Sequence, residues 1–177
     1  MTAEAIRKRR TSKDYDGREV PDSVLLEALE LANLAPNHKI NQPWRFRVLR
    51  RAGVLALINY LKAGLSMDEQ ESFAKPLERL SKVGALIYVT CVKDSHDFTD
   101  RENYAATAAS IQNILLHATS QGLVSYWSTA KIFAHPLAKS FVKLDETEWL
   151  VGALWLGYGK NPEAPPRKPA SNFTTWI

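Results

Sequence analysis

The run from Gly84 to Val92 constrains the fold most, because it is apolar or small along nearly its whole length. Side chains of a strand point alternately to opposite faces, so such a strand must be covered on both faces. The run from Trp149 to Tyr158 has the same character. Strict alternation would place Trp149, Val151, Ala153 and Trp155 on one face, and Leu150, Leu154 and Leu156 on the other. We therefore expect two buried central strands.

Helical periodicity lies on either side of these runs. A long helix is predicted by apolar residues at steps of three and four, namely Tyr104, Ala108, Ile111, Leu115 and Ala118. Thr99 and Glu102 have the spacing of a capping box at its start, and Gly122 is a natural stop. Further helices are expected over residues 2–9, 22–35, 52–63, 66–82 and 136–143, and further strands over 44–50 and 123–127. The helix over 66–82 would lie near the surface, where it could cover a site.

Length and composition favour one domain spanning residues 1–177. Its net charge of +4 suits a small anionic ligand or phosphate as readily as nucleic acid. Cys91 is the single cysteine, which excludes an intrachain disulfide. The first residues lack the apolar segment of a signal peptide, and the apolar runs are shorter than the roughly 20 residues of a membrane span. We expect a cytoplasmic protein without a membrane partner.

Two polar segments are candidate binding sites. The loop from Ala35 to Phe46 carries prolines, amides and cationic groups between a predicted helix and strand, where binding residues often lie, although an ordinary connector is an equal alternative. Arg9, Arg10 and Thr11 precede Lys13 and supply the forked and hydroxyl donors that suit a phosphate. The basic segment also fits a solvated helix end or a nucleic-acid-binding arm.

Other patterns add one further candidate segment and argue against several catalytic classes. Trp127, Ser128 and Thr129 end a short predicted strand, and the hydroxyls could donate to a heterocycle or cap a turn. No Ser-His-Asp set or metal-ligand spacing is evident, and His117 fits a structural role better than a ligand role. Asp145 and Glu148 fit a turn and a helix end better than an acid–base pair.

The C-terminal segment is rich in proline and ends in large apolar residues. Four prolines between residues 162 and 169 make it extended, and Phe173, Trp176 and Ile177 follow. Each large side chain left in water forgoes roughly 1.5–3 kcal/mol of burial. We expect an arm over residues 164–177 that docks on another part of the fold or on a second subunit, rather than a frayed tail.

Four motifs in fixed order resemble the nitroreductase family of FMN-dependent oxidoreductases, over about residues 5–168. Each is weak alone, and their order and spacing are specific together. They are Arg9-Arg10-Thr11-x-Lys13, Ala35-Pro36-x-His38-Lys39-x-x-Gln42-Pro43-Trp44-Arg45-Phe46, Gln112-Asn113-x-x-Leu116-x-Ala118 with Gly122-Leu123, and Val151-Gly152-x-Leu154-x-Leu156-Gly157 followed by proline and basic residues. The short length is similar to a compact branch of the family.

The resemblance implies an α+β fold with a mostly antiparallel central sheet flanked by helices. It also implies an intertwined homodimer with an exchanged C-terminal arm and FMN in each interface pocket. The implied cofactor residues are Arg9, Arg10 and Thr11 at the phosphate and ribityl end, Lys13 at the pyrimidine edge, Asn37, His38 and Gln42 from the partner, Trp127, Ser128 and Thr129 along the flavin, and Arg167 and Lys168 completing the phosphate clamp. Hydride transfer would be performed by flavin N5, with no catalytic side chain and no metal.

Three functional hypotheses follow. The first is an enzyme that uses NAD(P)H to reduce nitroaromatic, quinone or related acceptors by ping-pong hydride transfer. The second is a flavin-binding sensor or flavin-processing protein, because Ile40 stands where many members of the family have an amide. The third, a nucleic-acid-binding module, rests only on Arg7 to Arg10 and the basic pI, and no recognition motif accompanies them. We therefore expect no nucleic-acid partner.

Overall fold

The computed structural model of the chain describes residues 2–177. Its helices are α1 (Thr2–Lys8), α2 (Asp22–Asn33), α3 (Arg51–Gly64), α4 (Met67–Leu80), α5 (Asp97–Ser120), α6 (Lys131–Ala134) and α7 (Pro136–Phe141). Its strands are β1 (Asp14–Tyr15), β2 (Trp44–Arg50), β3 (Ala85–Val92), β4 (Val124–Ser128), β5 (Glu148–Gly157) and β6 (Gly159–Lys160). Short 3₁₀ turns lie at His38–Ile40 and Ala170–Phe173.

Four strands form the central sheet in the order β2-β3-β5-β4, and every neighbouring pair is antiparallel. The two runs that are apolar on both faces are the central strands β3 and β5. The predicted α+β class with a mostly antiparallel sheet is therefore confirmed. A separate two-stranded pair joins β1 to β6, with Asp14 opposite Lys160, which the sequence did not indicate.

A β-bulge makes the predicted alternation of β5 wrong. Gly152 pairs with Val89, but Leu150 pairs with Thr90, so Val151 is an extra residue on β5. The side-chain direction therefore shifts by one position at the bulge. Val151 lies in one core with Leu154 and Leu156, whereas Leu150 packs against the other core with Ala153 and Trp155.

Helices cover both faces of the sheet. One face packs against α2 and α5, and the buried residues of α5 there are Ile111, Ile114, Leu115 and Ala118. The opposite face packs against α3, α4, α6 and α7, with Val54, Leu57, Leu61, Leu77 and Leu80 among its buried residues. The predicted surface helix thus buries its last turns, and its N-terminal turns remain exposed.

The capping box predicted at Thr99 is wrong. Helix α5 begins at Asp97, so Thr99 lies within its first turn, and no side chain caps the helix at His96. The same sequence pattern operates instead at the start of α4. There the Ser66 hydroxyl accepts from the Glu69 amide, and the Glu69 carboxylate accepts from the Ser66 amide at 2.9 Å. Gly122 follows α5 with a φ of +74°, which agrees with its predicted role as a stop.

The arm leaves the body of the chain. Every residue from 161 to 177 is exposed, and Phe173, Trp176 and Ile177 present large apolar side chains to solvent. Docking of the arm over residues 164–177 remains a prediction. Among the helices of residues 2–177, none is long and apolar enough to cross a membrane.

Candidate functional site

The basic segment after α1 is fixed between two strands. Thr11 bridges to Ser125 on β4, and the Ser12 amide donates to the Ser125 carbonyl at 3.0 Å. The buried Ser12 hydroxyl donates to the Lys160 carbonyl at 2.6 Å, which ties the same segment to β6. These bonds hold the flanking arginines and Lys13 in defined positions.

A cavity of about 730 Å³ gathers four arginines from distant parts of the sequence. This arginine cavity is lined by Ile6, Arg7, Arg9, Arg10, Thr11, Pro162, Glu163, Ala164, Pro165 and Arg167. Burial, together with the neighbouring charges of Arg10 and Arg167, lowers the pKa of Arg9. Within residues 2–177, Arg9, Arg10 and Arg167 form no ion pair. Arg9 and Arg10 are half-buried and Arg167 is exposed, and the carboxylate that lines the cavity, Glu163, forms no ion pair with them among the described residues. A cluster of like charges of this kind is suited to a polyanion.

A second cavity of about 690 Å³ adjoins the first, and we call it the Arg79 cavity. The two share Thr11 and Pro162, and the second is also lined by Ser12, Lys13, Asp14, Arg79, Lys160 and Asn161. Lys13 Nζ lies 4.9 Å from the ring centroid of Tyr126. The sequence missed Arg79, because one arginine on a charged helix carries no signal until the fold turns it toward Lys13.

Trp127 and Ser128 end β4 beside the bulge of β5, and Thr129 follows the strand. Trp127 Nε1 donates to the Val151 carbonyl at 3.1 Å. A Cβ at position 152 would overlap the Trp127 indole, so the bulge needs Gly152 for this close approach. The buried Ser128 hydroxyl accepts from the Ala130 amide at 3.3 Å and so caps the turn that follows.

The loop that follows α2 is held by hydrogen bonds of its Asn and Gln side chains. Asn37 Oδ1 accepts from the backbone N–H of Gln42 at 2.9 Å, and Gln42 Nε2 donates to Asn33 Oδ1 at 3.0 Å. Asn41 Nδ2 donates to Asn103 Oδ1 on α5 at 2.7 Å. His38 is exposed between these anchors.

Three non-glycine residues of this loop have positive φ angles. They are Lys39 at 51°, Ile40 at 55° and Gln42 at 47°. A positive φ is a genuine outlier for a β-branched side chain such as Ile40, which is 79% exposed. Strain of this kind is concentrated at binding and catalytic sites.

The predicted site residues fall into separate groups. Arg9, Arg10, Thr11, Lys13 and Arg167 converge on the two adjoining cavities. Lys168 and the loop residues Asn37, His38 and Gln42 are not among the residues lining either cavity, and Thr129 lines a smaller one. One chain therefore assembles the basic part of the predicted site and leaves the amide loop apart from it. Arg7, Arg79 and Lys160 are additions that sequence reasoning did not include.

Several polar residues outside this site have structural partners. The Asp145 carboxylate accepts from the Thr147 amide and hydroxyl, which confirms its turn role. We expected Glu148 at a helix end, and this prediction is wrong. Glu148 begins β5 and pairs with Arg47 at 2.7 Å. Across the described chain, no group of three or more His, Cys, Asp or Glu side chains is placed to hold a metal ion.

Comparisons with known proteins agree with this architecture. The nitroreductase family model matches residues 6–158. A nitroreductase-like family protein from Bacillus cereus has a TM-score of 0.90 at 30% identity, with 100% of this chain and 96% of that chain covered. YfhC of Bacillus subtilis, which carries the name of an NAD(P)H nitroreductase, is 29% identical over 170 residues, 93% of this chain and 88% of the relative.

A more distant solved structure carries a flavin. A nitroreductase from Desulfovibrio desulfuricans, in complex with FMN, has a TM-score of 0.79 at 23% identity, with 99% of this chain and 96% of that chain covered. At that identity the comparison supports the fold.

Proposed function

Because the chain belongs to the nitroreductase family, we propose that it is an FMN-dependent oxidoreductase that uses NAD(P)H to reduce small acceptors. The acceptors of this proposal are nitroaromatics, quinones and related compounds. The observation that carries the proposal is the arginine cavity adjoining the Arg79 cavity, in the region where the family resemblance puts FMN. The names of the Bacillus subtilis and Desulfovibrio desulfuricans relatives support the donor and the cofactor.

The residues present fit FMN. Arg9, Arg10 and Arg167 form a cationic cluster with no ion pair among the residues described, and the pKa of Arg9 is lowered by burial and by its charged neighbours. A phosphate would relieve this repulsion and accept forked hydrogen bonds. The adjoining Arg79 cavity gives the ligand room to extend from the phosphate toward Lys13.

Each cofactor residue has a proposed task. Arg9, Arg10, Thr11, Arg167 and Lys168 would bind the phosphate and ribityl end. Lys13 would face the pyrimidine edge, and Arg79 lines the same cavity. Trp127, Ser128 and Thr129 would line the ring, with the Trp127 indole fixed by Val151.

FMN, when bound, supplies a ring nitrogen, N5, that accepts and donates hydride. The chain itself would supply positive charge at the pyrimidine edge of the ring. Two cations that line this cavity, Lys13 and Arg79, would stabilise negative charge there. In the overall reaction, NAD(P)H and a proton deliver two electrons and two protons, which convert a quinone to a hydroquinone or a nitro group to a nitroso group and water. Donor and acceptor would occupy one pocket in turn, which gives ping-pong kinetics.

A second copy of the chain would complete the site. Asn37, His38 and Gln42 line neither basic cavity of their own chain, and their loop is strained and partly exposed. We propose that this loop approaches the flavin of the partner subunit in a homodimer. The exposed arm, residues 164–177, would dock on the partner and bury its aromatic side chains.

Titration of the purified protein with FMN tests the cofactor site. We expect saturable binding of one FMN per chain, and Arg9→Ala should raise the dissociation constant at least tenfold, since a hydrogen bond to a charged group is worth roughly 1.5–3 kcal/mol. Lys62→Ala, an exposed lysine of α3, is the control and should bind normally. Failure to bind FMN in excess, or unchanged binding by Arg9→Ala, would contradict the assignment.

Steady-state oxidation of NADH and NADPH with a panel of acceptors tests the activity. The exposed, strained Ile40 favours the second candidate, a flavin-binding protein without nitroreductase turnover. Turnover with several acceptors would exclude that candidate, and FMN binding without turnover would favour it.

A further inference from the structure

A third cavity adjoins the end of β4 and has a composition that the proposed function does not explain. This Lys93 cavity has a volume of about 300 Å³ and is lined by Lys93, Thr129, Ala134, Lys139, Leu144, Glu148, Trp149, Leu150 and Gly152. Thr129 and Gly152 place it directly beside the segment expected to line the flavin. Its volume lies at the lower end of the range for small-molecule sites, which suits a ligand with a single ring.

The charge of the Lys93 cavity is positive. Its carboxylate, Glu148, is already paired, because Arg47 donates to both Glu148 oxygens at 2.7 and 3.1 Å and the Thr90 hydroxyl also donates to it. Burial opposes ionisation of Glu148, but these donors outweigh it and lower the pKa of the carboxyl group. Glu148 is therefore neutralised by Arg47, and the two lysines determine the net charge.

The two lysines differ in how they are held. Lys93 Nζ lies 4.7 Å from the ring centroid of Trp149 and donates to the Glu146 carbonyl, so its position is defined. Lys139 is exposed on α7 and has no ion pair within residues 2–177. A cation held in position and a second, exposed cation at the same cavity can together bind a carboxylate.

Apart from Thr129 and Gly152, the remaining lining is apolar. The Trp149 ring and the side chains of Leu144, Leu150 and Ala134 form the wall beside the lysines. Trp149 is itself restrained, because its Nε1 donates to the Asp100 carboxylate at 2.9 Å. An apolar wall with a cationic end matches a molecule that has an aromatic ring and an acidic group.

We propose that the Lys93 cavity is an acceptor subsite that binds the carboxylate of a small aromatic acid. The reducible group of that acid would then project past Thr129 toward the flavin. This inference rests on the proposed function for the flavin position, and it narrows the acceptor class to anionic aromatic compounds. The Lys93 and Lys139 side chains select charge and take no part in electron transfer.

Two acceptors of similar shape and different charge test the selectivity of the FMN-saturated protein. 4-Nitrobenzoate and 4-nitrobenzamide carry the same reducible group, and we expect kcat/KM to be at least tenfold higher for the benzoate. Lys93→Gln and Lys139→Gln should each lower kcat/KM for the benzoate several-fold and leave the amide within twofold. Lys62→Gln removes a distant lysine charge and should change neither. Lys139 has no described side-chain bond, so its variant keeps the test independent of folding.

A binding measurement separates the subsite from the activity. Benzoate cannot be reduced, and its binding is followed calorimetrically, with benzamide as the neutral control. Benzoate binding that weakens at least fivefold in Lys139→Gln supports the subsite, even if the protein turns over no acceptor and the proposed function fails. Turnover of both nitro compounds at equal kcat/KM, with no benzoate binding, overturns the subsite and leaves the flavoenzyme intact.

Discussion

At position 152 the absence of a side chain lets the Trp127 indole lie against β5. The bulge that displaces Val151 also presents the Val151 carbonyl to the indole N–H at 3.1 Å. The bulge at Val151 thus determines both the side-chain direction of the neighbouring β5 residues and the position of Trp127, a proposed flavin-lining side chain. Ser12 likewise fixes the basic segment through three of its groups. Its backbone amide donates to β4, its hydroxyl donates to β6, and its carbonyl accepts from the Tyr15 hydroxyl.

Gly152→Ala should therefore damage both stability and cofactor binding. The added methyl group overlaps the Trp127 indole, and overpacking of this kind costs roughly 1–3 kcal/mol. Urea unfolding measures the loss of stability, and FMN titration measures the loss of affinity. In a Trp127→Ala background the same change should cost less, because the overlap with the indole is removed while the close Ser128 carbonyl and the φ of +157° at position 152 remain. Equal costs in the two backgrounds would show that the indole contact is not the cause.

Among the elements, α4 connects the site to the opposite face of the sheet. Its first turn is closed by Ser66 and Glu69, its last turn carries Arg79, and Glu69 Oε1 also lies 3.2 Å from His135 Nε2. His135 in turn caps α7 by accepting from the Leu137 amide at 3.2 Å. A substitution of Glu69 should therefore affect both α4 and α7.

The contribution of Glu69 should depend on pH. Hydrogen bonds from the Ser66 amide and hydroxyl, and then from His135, lower the pKa of Glu69 below its usual 4.5. A carboxyl group with a lowered pKa stabilises the folded state fully above its unfolded value, and this contribution is lost as pH falls through the folded value. The stability difference between the wild type and Glu69→Gln should therefore be largest near pH 7 and shrink below pH 4.5.

Unfolding by urea at a series of pH values measures this difference. Glu71→Gln, an exposed residue of the same helix without a described partner, is the control and should show little difference at any pH. A Glu69→Gln difference that stays constant from pH 7 to pH 3 would contradict the assignment.

Elements with strong periodicity could be predicted from the sequence, and local exceptions could not. Strands β3 and β5 are apolar on both faces, and their predicted bounds were correct within one residue. Helix α5 repeats its apolar residues over many turns and was predicted as a long helix, but it begins at Asp97 rather than after Thr99. The bulge at Val151 escaped prediction because it depends on the pairing with Val89 and Thr90. The pattern Ser/Thr-x-x-Glu occurs at both Ser66 and Thr99, and only the position of the first helical turn decides which one caps.

The candidate site was also predicted only in part from the sequence. The cations near Thr11 are adjacent in sequence and could be predicted as a cluster, whereas Arg79 and Lys160 join them only through the placement of α4 and β6. The resemblance to a family supplied the roles of Arg167 and Lys168, because proline-rich segments carry no periodicity from which a position follows.

For the whole molecule, two features of the single chain suggest that a second copy binds to it. The amide loop lies apart from the basic cavities, and the arm exposes Phe173 and Trp176 at 76% and 93% of their surfaces. A homodimer would bring a loop to each basic site and cover each arm.

Removal of the arm aromatics should weaken the dimer. Phe173→Ser with Trp176→Ser deletes apolar surface worth roughly 1.5–3 kcal/mol for each side chain, so the dimer dissociation constant should rise at least tenfold. Sedimentation over a range of protein concentrations measures this constant. Thr175→Ala, between the two aromatics, is the control and should leave it unchanged. An unchanged constant in the double variant would show that the arm does not dock on the partner.

Size-exclusion chromatography of the FMN-supplied protein, with light scattering for mass and visible absorbance for flavin, tests the dimer and its cofactor together. We expect a single species with twice the 19.9 kDa mass of one chain, co-eluting with one FMN per chain. A colourless species with the mass of one chain, with all FMN eluting separately, would contradict this expectation.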